Sequence, residues 1–511
     1  MTTTAPTTTP TSAIAPTSTI TLRHLIDGRW REGTGPLLES GNPALPGETV
    51  ASGRTATPAD VHEAMAAARA AARAWARTPM HERGAVLAGA AEIVTARAEQ
   101  WGLELAREEG KTLAEGRGEV LRAAQILSYF ATEGDRQAGE LYQSPRRGER
   151  IMVTRKPLGV VGVVTPFNFP IAIPAWKIAP ALVYGNTVVW KPASTVPLLA
   201  QRLAEALQEA GLPDGVLNLL IGPGALGNAL VEHPDLDGLT FTGSTVVGRS
   251  LAARAAGLGV PLQAEMGGKN AAVVLVDADL DQAVTDVLHG AFRSTGQKCT
   301  ATSRLVLAEP IADEFLARLD ARLDGWVVGD PTDSSTHMGP LVSASAADSI
   351  RGGIDTAVRQ GAVLRRGPDQ FPAGAGEEAG TPGRLPSTYL APTVLELPAD
   401  GQNHAWVEEF FGPVLAVRRA RNAREAFDLA NDSAYGLSCS VFTNDLTAAL
   451  DAVEDLDVGV LHVNSESAGA DPHVPFGGAK KSGYGPKEQG GAAREFFSQT
   501  TTVYLRGGRA G

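Results

Sequence analysis

Between residues 160 and 256 the chain alternates short apolar runs with helical stretches. "VVGVV" at 160–164 is continuous and rich in β-branched residues, as a strand buried on both faces is. "NTVVWKP" (186–192), "VLNLLIG" (216–222) and "GLTFTG" (238–243) repeat the pattern, and 196–210, 225–232 and 245–256 read as the helices between them. This βαβα rhythm constrains the fold more than any other feature. It predicts a mostly parallel sheet covered by helices. Such sheets bind ligands at the carboxyl ends of their strands.

Other segments extend this α/β reading. Residues 57–78 form an amphipathic pattern: Thr57 can cap, Pro58 suits the first helical position, and Val61, Met65, Ala68, Ala72 and Trp75 share a face. Helical patterns follow at 80–109 and 113–138. Residues 149–156 alternate and carry charge, like an exposed hairpin strand. A second α/β region starts near 270 and runs to about 462, interrupted by a Gly/Pro-rich surface loop at 366–386. "SQTTTVYLR" (498–506) is β-branched and suits an edge strand that pairs elsewhere. The Thr/Pro-rich stretch 1–20 lacks the apolar content to order itself and reads as a disordered tail, not a signal peptide.

Composition narrows the function. A chain of 511 residues allows two or three domains, and a net charge of −12 disfavours nucleic acid and anionic membranes as partners. No apolar run is long enough for a membrane span. Two cysteines, Cys299 and Cys439, give neither a disulfide framework nor a Cys-based metal site, so no metal and a reducing, cytoplasmic compartment are expected.

Several segments suit chemistry, and each has a plainer reading. In "FTGSTVVGRS", Gly243 and Ser244 sit between a strand and a helix, where free N–H groups favour a phosphate; the spacing equally suits an ordinary joint. Lys191 in "WKPAS" stands at a strand's carboxyl end, where it meets a ribose, a 2′-phosphate or only solvent. Glu265 in "QAEMGGKN" is a general base if its cleft is partly apolar, or else a salt-bridged strand end. Asn168 in "TPFNFP" either aims its amide at a ligand or holds its own turn. Cys299 in "STGQKCTATSR" has polar, glycine-containing surroundings that suit a reactive thiolate, although a free cysteine is also an inert packing residue.

Taken together, "TPFNFP", "AWKIAPAL", "GNTVVWKPAS", "FTGSTVVG", "EMGGKN", "GQKCT", "EEFFGPV", "NDSAYGL" and "PFGGAKKSGYGPKEQG" resemble the aldehyde dehydrogenase superfamily over about 22 to 506. The resemblance implies an α/β fold in three parts: a Rossmann-like NAD(P)-binding domain (21–140 and 160–271), an α/β catalytic domain (272–462) and a small β oligomerisation arm (141–159 and 485–508). It implies Cys299 as the nucleophile, Asn168 and the Cys299 N–H as the oxyanion hole, Glu265 as the deacylating base, and Lys177 on the proton path. It places Thr165, Lys191, Ser194, Gly224, Gly243, Ser244, Glu409 and Phe411 around NAD or NADP, and Phe169, Trp176 and Phe476 along the substrate tunnel. A homodimer or homotetramer is implied. Many NAD-preferring relatives carry glutamate three residues after the lysine of "K-P-x-E"; Ser194 stands there, so NADP acceptance is expected.

The nucleophile segment is most similar to bacterial 2-oxoglutarate semialdehyde (2,5-dioxopentanoate) dehydrogenases, with succinate semialdehyde and aromatic aldehydes as alternative substrates. Arg293, Thr300 and His473 are candidates for a substrate carboxylate, and each also reads as a surface or packing residue. A non-catalytic relative would have lost Cys299, Glu265 or Asn168, and a CoA-acylating enzyme would usually lack Glu265; all three residues are present.

Overall fold

The computed structural model describes residues 19–136, 139–371, 385–399 and 402–508. Residues 1–18 of the expected tail, and 372–384 of the expected surface loop, lie outside them. The tail boundary at 20 is corrected: Ile20 is a strand residue paired in parallel with Ala51. Its half-buried side chain packs on the first core, which gives this end of the segment apolar contact to order it.

The alternating segment folds as its pattern predicts. Val160–Val164, Thr187–Lys191, Leu217–Leu219, Gly238–Thr242 and Leu262–Glu265 form a five-stranded parallel core. All their residues are buried, because helices cover both faces. Val160–Val164 pairs on one side with the next strand in sequence, Thr187–Lys191, and on the other with Gly238–Thr242. The winding therefore reverses there, and the chain leaves these strands in opposite directions, opening a crevice at their carboxyl ends. Short antiparallel strands extend both edges: His24–Ile26 and Arg29–Arg31 at one, Gly483–Tyr484 at the other. At two or three residues, none has a periodicity that sequence reading can detect.

The helical pattern 80–109 is broken at Arg97 into Met80–Ala96 and Ala98–Glu109, and Gly110, with φ +95°, ends the second helix. The helix expected over 113–138 stops at Ala131, and a 3₁₀ turn follows at Glu133–Asp135.

The second sheet contains six parallel strands, ordered Thr393–Glu396, Val414–Ala420, Thr302–Ala308, Asn270–Val274, Ser438–Phe442 and Val460–Val463, with Val363–Arg366 antiparallel at one edge. The chain passes from Leu262–Glu265 of the first sheet to Asn270–Val274 of the second through residues 266–269 alone. The carboxyl edge of one sheet thus faces the amino edge of the other.

Glu140–Gln143, Glu149–Pro157 and Ser498–Arg506 form a separate antiparallel sheet, with 498–506 paired along all of 149–157. The span 485–508 is not uniform. Gly490–Phe497 is a helix whose Phe496 and Phe497 enter the first core, so only the strand after it belongs with this sheet. Among the described residues, no helix is long and apolar enough to cross a membrane.

Candidate active site

The short link between the sheets holds the site together through two glycines. A Cβ on Gly267 would lie 2.0 Å from a Glu409 carboxylate oxygen, and one on Gly268 would lie 2.6 Å from the Cys299 carbonyl oxygen. Without side chains, the link lets Glu409 close on it, and the Gly268 N–H donates to Glu409 Oε1 at 2.8 Å.

A cavity of about 540 Å³ opens at the first sheet's carboxyl edge. It brings together Thr165, Lys191, Gly224, Gly243, Ser244, Glu409 and Phe411, as the sequence implied, and also reaches Asn168. Ser194 is the exception: it is half-buried in the loop beyond Lys191 and does not line the cavity, whereas Ala193 does. The Lys191 ammonium is buried and has no partner among the described residues; burial pushes it down to about 8. Thr242 Oγ1 is likewise buried and unpartnered. Ser244 caps the helix Thr245–Leu258, accepting from the Val247 N–H at 3.4 Å, so N–H groups of the first turn face the cavity's end. An unpaired cation beside a helix N-terminus fits the diphosphate and ribose of a dinucleotide. Burial raises Glu409 to about 7, against the opposing pull of the Gly268 N–H and Lys269.

A second cavity, of about 280 Å³, reaches Cys299 from the other side. Phe169, Trp176 and Phe476 line it as expected, with the Trp176 and Phe476 rings 5.6 Å apart. Among the described residues, Cys299 is the only one that lines both cavities. Its loop precedes the strand Thr302–Ala308 and is shaped by three left-handed residues, Ser294, Thr295 and Gly296. Gly296 is obligatory there: its Cβ would lie 2.3 Å from the Gly412 carbonyl oxygen. Asn168 Nδ2 donates to the Gln297 carbonyl at 2.9 Å, and Asn270 Nδ2 donates to the Cys299 carbonyl at 2.7 Å. Burial, then the Glu409 and Glu265 carboxylates, push the Cys299 thiol up to about 12.

The structure sets two expected residues back from the cavities. Glu265 is buried at its strand end, accepts from the Gly478 N–H at 3.2 Å and lines neither cavity. Burial and neighbouring Glu488 hold its carboxyl well above the usual range, while Lys177 pulls the other way. Lys177 is also buried away from both cavities. Its ammonium donates to Thr240 Oγ1 at 2.9 Å and pairs with Glu488. Sequence reading missed Glu488, although it lies inside the quoted "GPKEQG".

Of the three carboxylate candidates, Arg293 and Thr300 line the second cavity; His473 is exposed outside it. Arg122 and Lys298 also line it and were not anticipated. Lys298 signalled itself only by adjacency to Cys299, and its Nζ donates to the His289 carbonyl at 3.3 Å.

Two α/β units, with a cavity at their joint lined by an unpartnered lysine and a helix start and a second cavity beyond it, suit an enzyme that binds a dinucleotide beside a smaller substrate. The chain belongs to the aldehyde dehydrogenase family, whose sequence model matches residues 30–503. It is 39% identical to an alpha-ketoglutaric semialdehyde dehydrogenase of Bacillus subtilis (strain 168), over 95% of this chain and 98% of that one. It is 37% identical to a 2,5-dioxopentanoate dehydrogenase of Saccharolobus solfataricus, over 93% and 98%. Among solved structures, an NAD-dependent aldehyde dehydrogenase from Sinorhizobium meliloti superposes with a TM-score of 0.90 at 34% identity, covering 96% of each chain.

Proposed function

We propose that the protein oxidises a carboxylate-bearing semialdehyde, 2-oxoglutarate semialdehyde in the first instance, to the corresponding acid through a thioester on Cys299. The observation that carries this reading is that Cys299 alone lines both cavities. An aldehyde entering from the second cavity meets the sulfur where a dinucleotide in the first can reach the same carbon.

The Cys299 thiol loses its proton to water, and the sulfur adds to the aldehyde carbon as thiolate. The oxygen becomes an alkoxide held by Asn168 and the Cys299 N–H, each donor contributing about 3–4 kcal/mol to the barrier reduction. A dinucleotide in the first cavity would supply the two-electron acceptor that this oxidation needs, while Cys299 keeps the acyl carbon as a thioester. Glu265 then takes a proton from water, the oxygen adds to that carbonyl, and the C–S bond breaks to return the sulfur. Burial and Glu488 make Glu265 more basic than an exposed carboxylate, which favours proton transfer from water to it. To act, it must leave the Gly478 N–H and turn toward Cys299. Lys177 acts on this path through Glu488. Lys191, Ser244, Glu409 and Phe411 would hold the dinucleotide, with Thr165, Gly224 and Gly243 forming the wall.

Arg293 and Thr300, with Arg122 and Lys298, could receive an anionic substrate end in the second cavity, where Glu119 is paired with Lys111 and Glu115 and Glu466 also line the wall. The names of the two relatives point to the same class. NADP is accepted as well as NAD: no carboxylate stands three residues beyond Lys191, where the sequence has Ser194, set back from the cavity wall. The one carboxylate lining the first cavity among the described residues is Glu409. Two free cysteines suit a cytoplasmic compartment, and the separate β sheet is an arm that joins subunits.

The test is an aldehyde panel with NAD and NADP: 2-oxoglutarate semialdehyde, succinate semialdehyde, benzaldehyde and a simple aliphatic aldehyde. Highest kcat/KM for 2-oxoglutarate semialdehyde is expected. Equal rates across the panel overturn the semialdehyde reading. A preference for NAD above about tenfold, roughly 1.4 kcal/mol, overturns the cofactor reading.

A further inference from the structure

The second cavity contains a buried ionic group that the mechanism above does not use. Lys111 and Glu119 pair at 2.7 Å, and each side chain is only 2% exposed. The geometry points to Lys111, Glu115 and Glu119 as positioning residues that clamp the Asn168 loop and the Cys299 loop in register, an inference that rests on the roles proposed above for those two residues.

The contacts form a closed ring. Lys111 follows the left-handed Gly110, and the helix Leu113–Ala131 begins two residues later behind its cap, Thr112. Glu115 divides its carboxylate. Oε2 accepts from the Thr112 N–H at 3.1 Å and its Oγ1 at 3.0 Å, while Oε1 accepts from the Ser294 N–H at 2.7 Å. Ser294 is the first of the three left-handed residues that aim the nucleophile loop. Glu119 stands one turn further along the same helix face. Its Oε1 accepts from the N–H groups of Ile171 and Ala172, at 3.1 and 3.2 Å, where the Asn168 loop enters its helix. The Lys111 ammonium donates to the Asn168 carbonyl and lies 3.8 Å over the Phe169 ring. Asn168 closes the circuit through its bond to the Gln297 carbonyl.

Energetics favour positioning over plain stabilisation. Desolvating two charges costs several kcal/mol per ion, and an apolar pair of similar volume is often as stable or more so. What an apolar pair would not supply is a directed donor for the Asn168 carbonyl and an acceptor for the two N–H groups. Asn168 must hold its amide at hydrogen-bond distance from the developing alkoxide, and displacement of about 1 Å can cost a hundredfold in rate.

The experiment is the double variant Lys111→Met/Glu119→Gln in the full chain. It removes both buried charges, while the glutamine Oε1 still accepts from Ile171 and Ala172. Three readouts are taken beside wild type: steady-state kinetics, thermal midpoint, and the rate at which iodoacetamide alkylates Cys299, a reaction that forms no alkoxide. The expected result is kcat lower by roughly 10- to 100-fold, with KM for aldehyde and NAD(P) and the alkylation rate each within about threefold. A folded variant with kcat within about twofold of wild type overturns the clamp. So does a parallel fall in kcat and alkylation, because that reports a generally disordered site. If the double variant does not fold, Lys111→Gln alone carries the same outcomes, since its amide can still donate to Glu119. Wild-type protein that oxidises no aldehyde overturns the proposed function; normal wild-type turnover with an unaffected variant overturns only the clamp.

Discussion

Cys299 has a thiol pushed up to about 12, so the protein's own groups hold it protonated at neutral pH. Alkylation of the dinucleotide-free protein by iodoacetamide should therefore rise about tenfold per pH unit from pH 7 to 9, without a plateau. A plateau below pH 8 would show a thiolate already formed. Cys299→Ser should abolish dehydrogenase turnover, and retained activity would remove the thioester from the mechanism. The role proposed for Glu265 is separable from that of Cys299. Glu265→Gln should still release one equivalent of reduced dinucleotide per site in rapid mixing, and steady-state turnover should then fall by roughly 10²- to 10⁴-fold. A lost burst together with lost turnover would place Glu265 before acyl transfer. Cys299, Asn168 and Glu265 could be picked out as candidates because each stands in a short local motif that the family resemblance matches. Lys111 and Glu488 could not, because what defines them is a partner far away in sequence: Asn168 is 57 positions from Lys111, and Glu488 is 311 from Lys177. No local pattern marks a lysine whose neighbour is supplied by topology.

At the scale of elements, the parallel strands were readable because burial on both faces leaves continuous apolar runs. Edge strands such as Arg29–Arg31 and Gly483–Tyr484 make few such contacts and leave no run. The break at Arg97 was equally silent, since neither Gly nor Pro marks it. The nucleophile loop combines legible and hidden features. Its glycine was visible, but the left-handed Ser294 and Thr295 were not, because the surrounding contacts impose that backbone on residues that seldom adopt it. Gly296→Ala should accordingly lose activity through the loop. A Cβ there meets the Gly412 carbonyl oxygen at 2.3 Å, and positive φ adds a cost of about 1–2 kcal/mol. Dinucleotide affinity, measured by fluorescence titration, should stay within about threefold of wild type, while kcat falls at least tenfold. Equal losses of binding and turnover would mean that the change spreads beyond the loop.

For the whole molecule, the sheet of Glu140–Gln143, Glu149–Pro157 and Ser498–Arg506 is the part proposed above to join subunits. Three strands with no covering layer cannot bury a face of their own. The register places Tyr142, Ile151 and Tyr504 in one row across the sheet, with Leu141 and Leu505 at neighbouring positions. Tyr142 is 50% exposed, Tyr504 58%, Leu141 75% and Leu505 51%. An exposed aromatic row of this kind suits contact with another protein surface. Tyr142→Asp/Tyr504→Asp places two carboxylates in that row without touching either cavity or the parallel cores. Light scattering after size exclusion should show wild type as a dimer or tetramer and the variant shifted to a smaller species. Dinucleotide affinity should remain within about threefold, because the Lys191 and Ser244 end of the first cavity is built within one chain. An unchanged mass for the variant would remove the subunit-joining role from the arm, and a monomeric wild type would remove it outright.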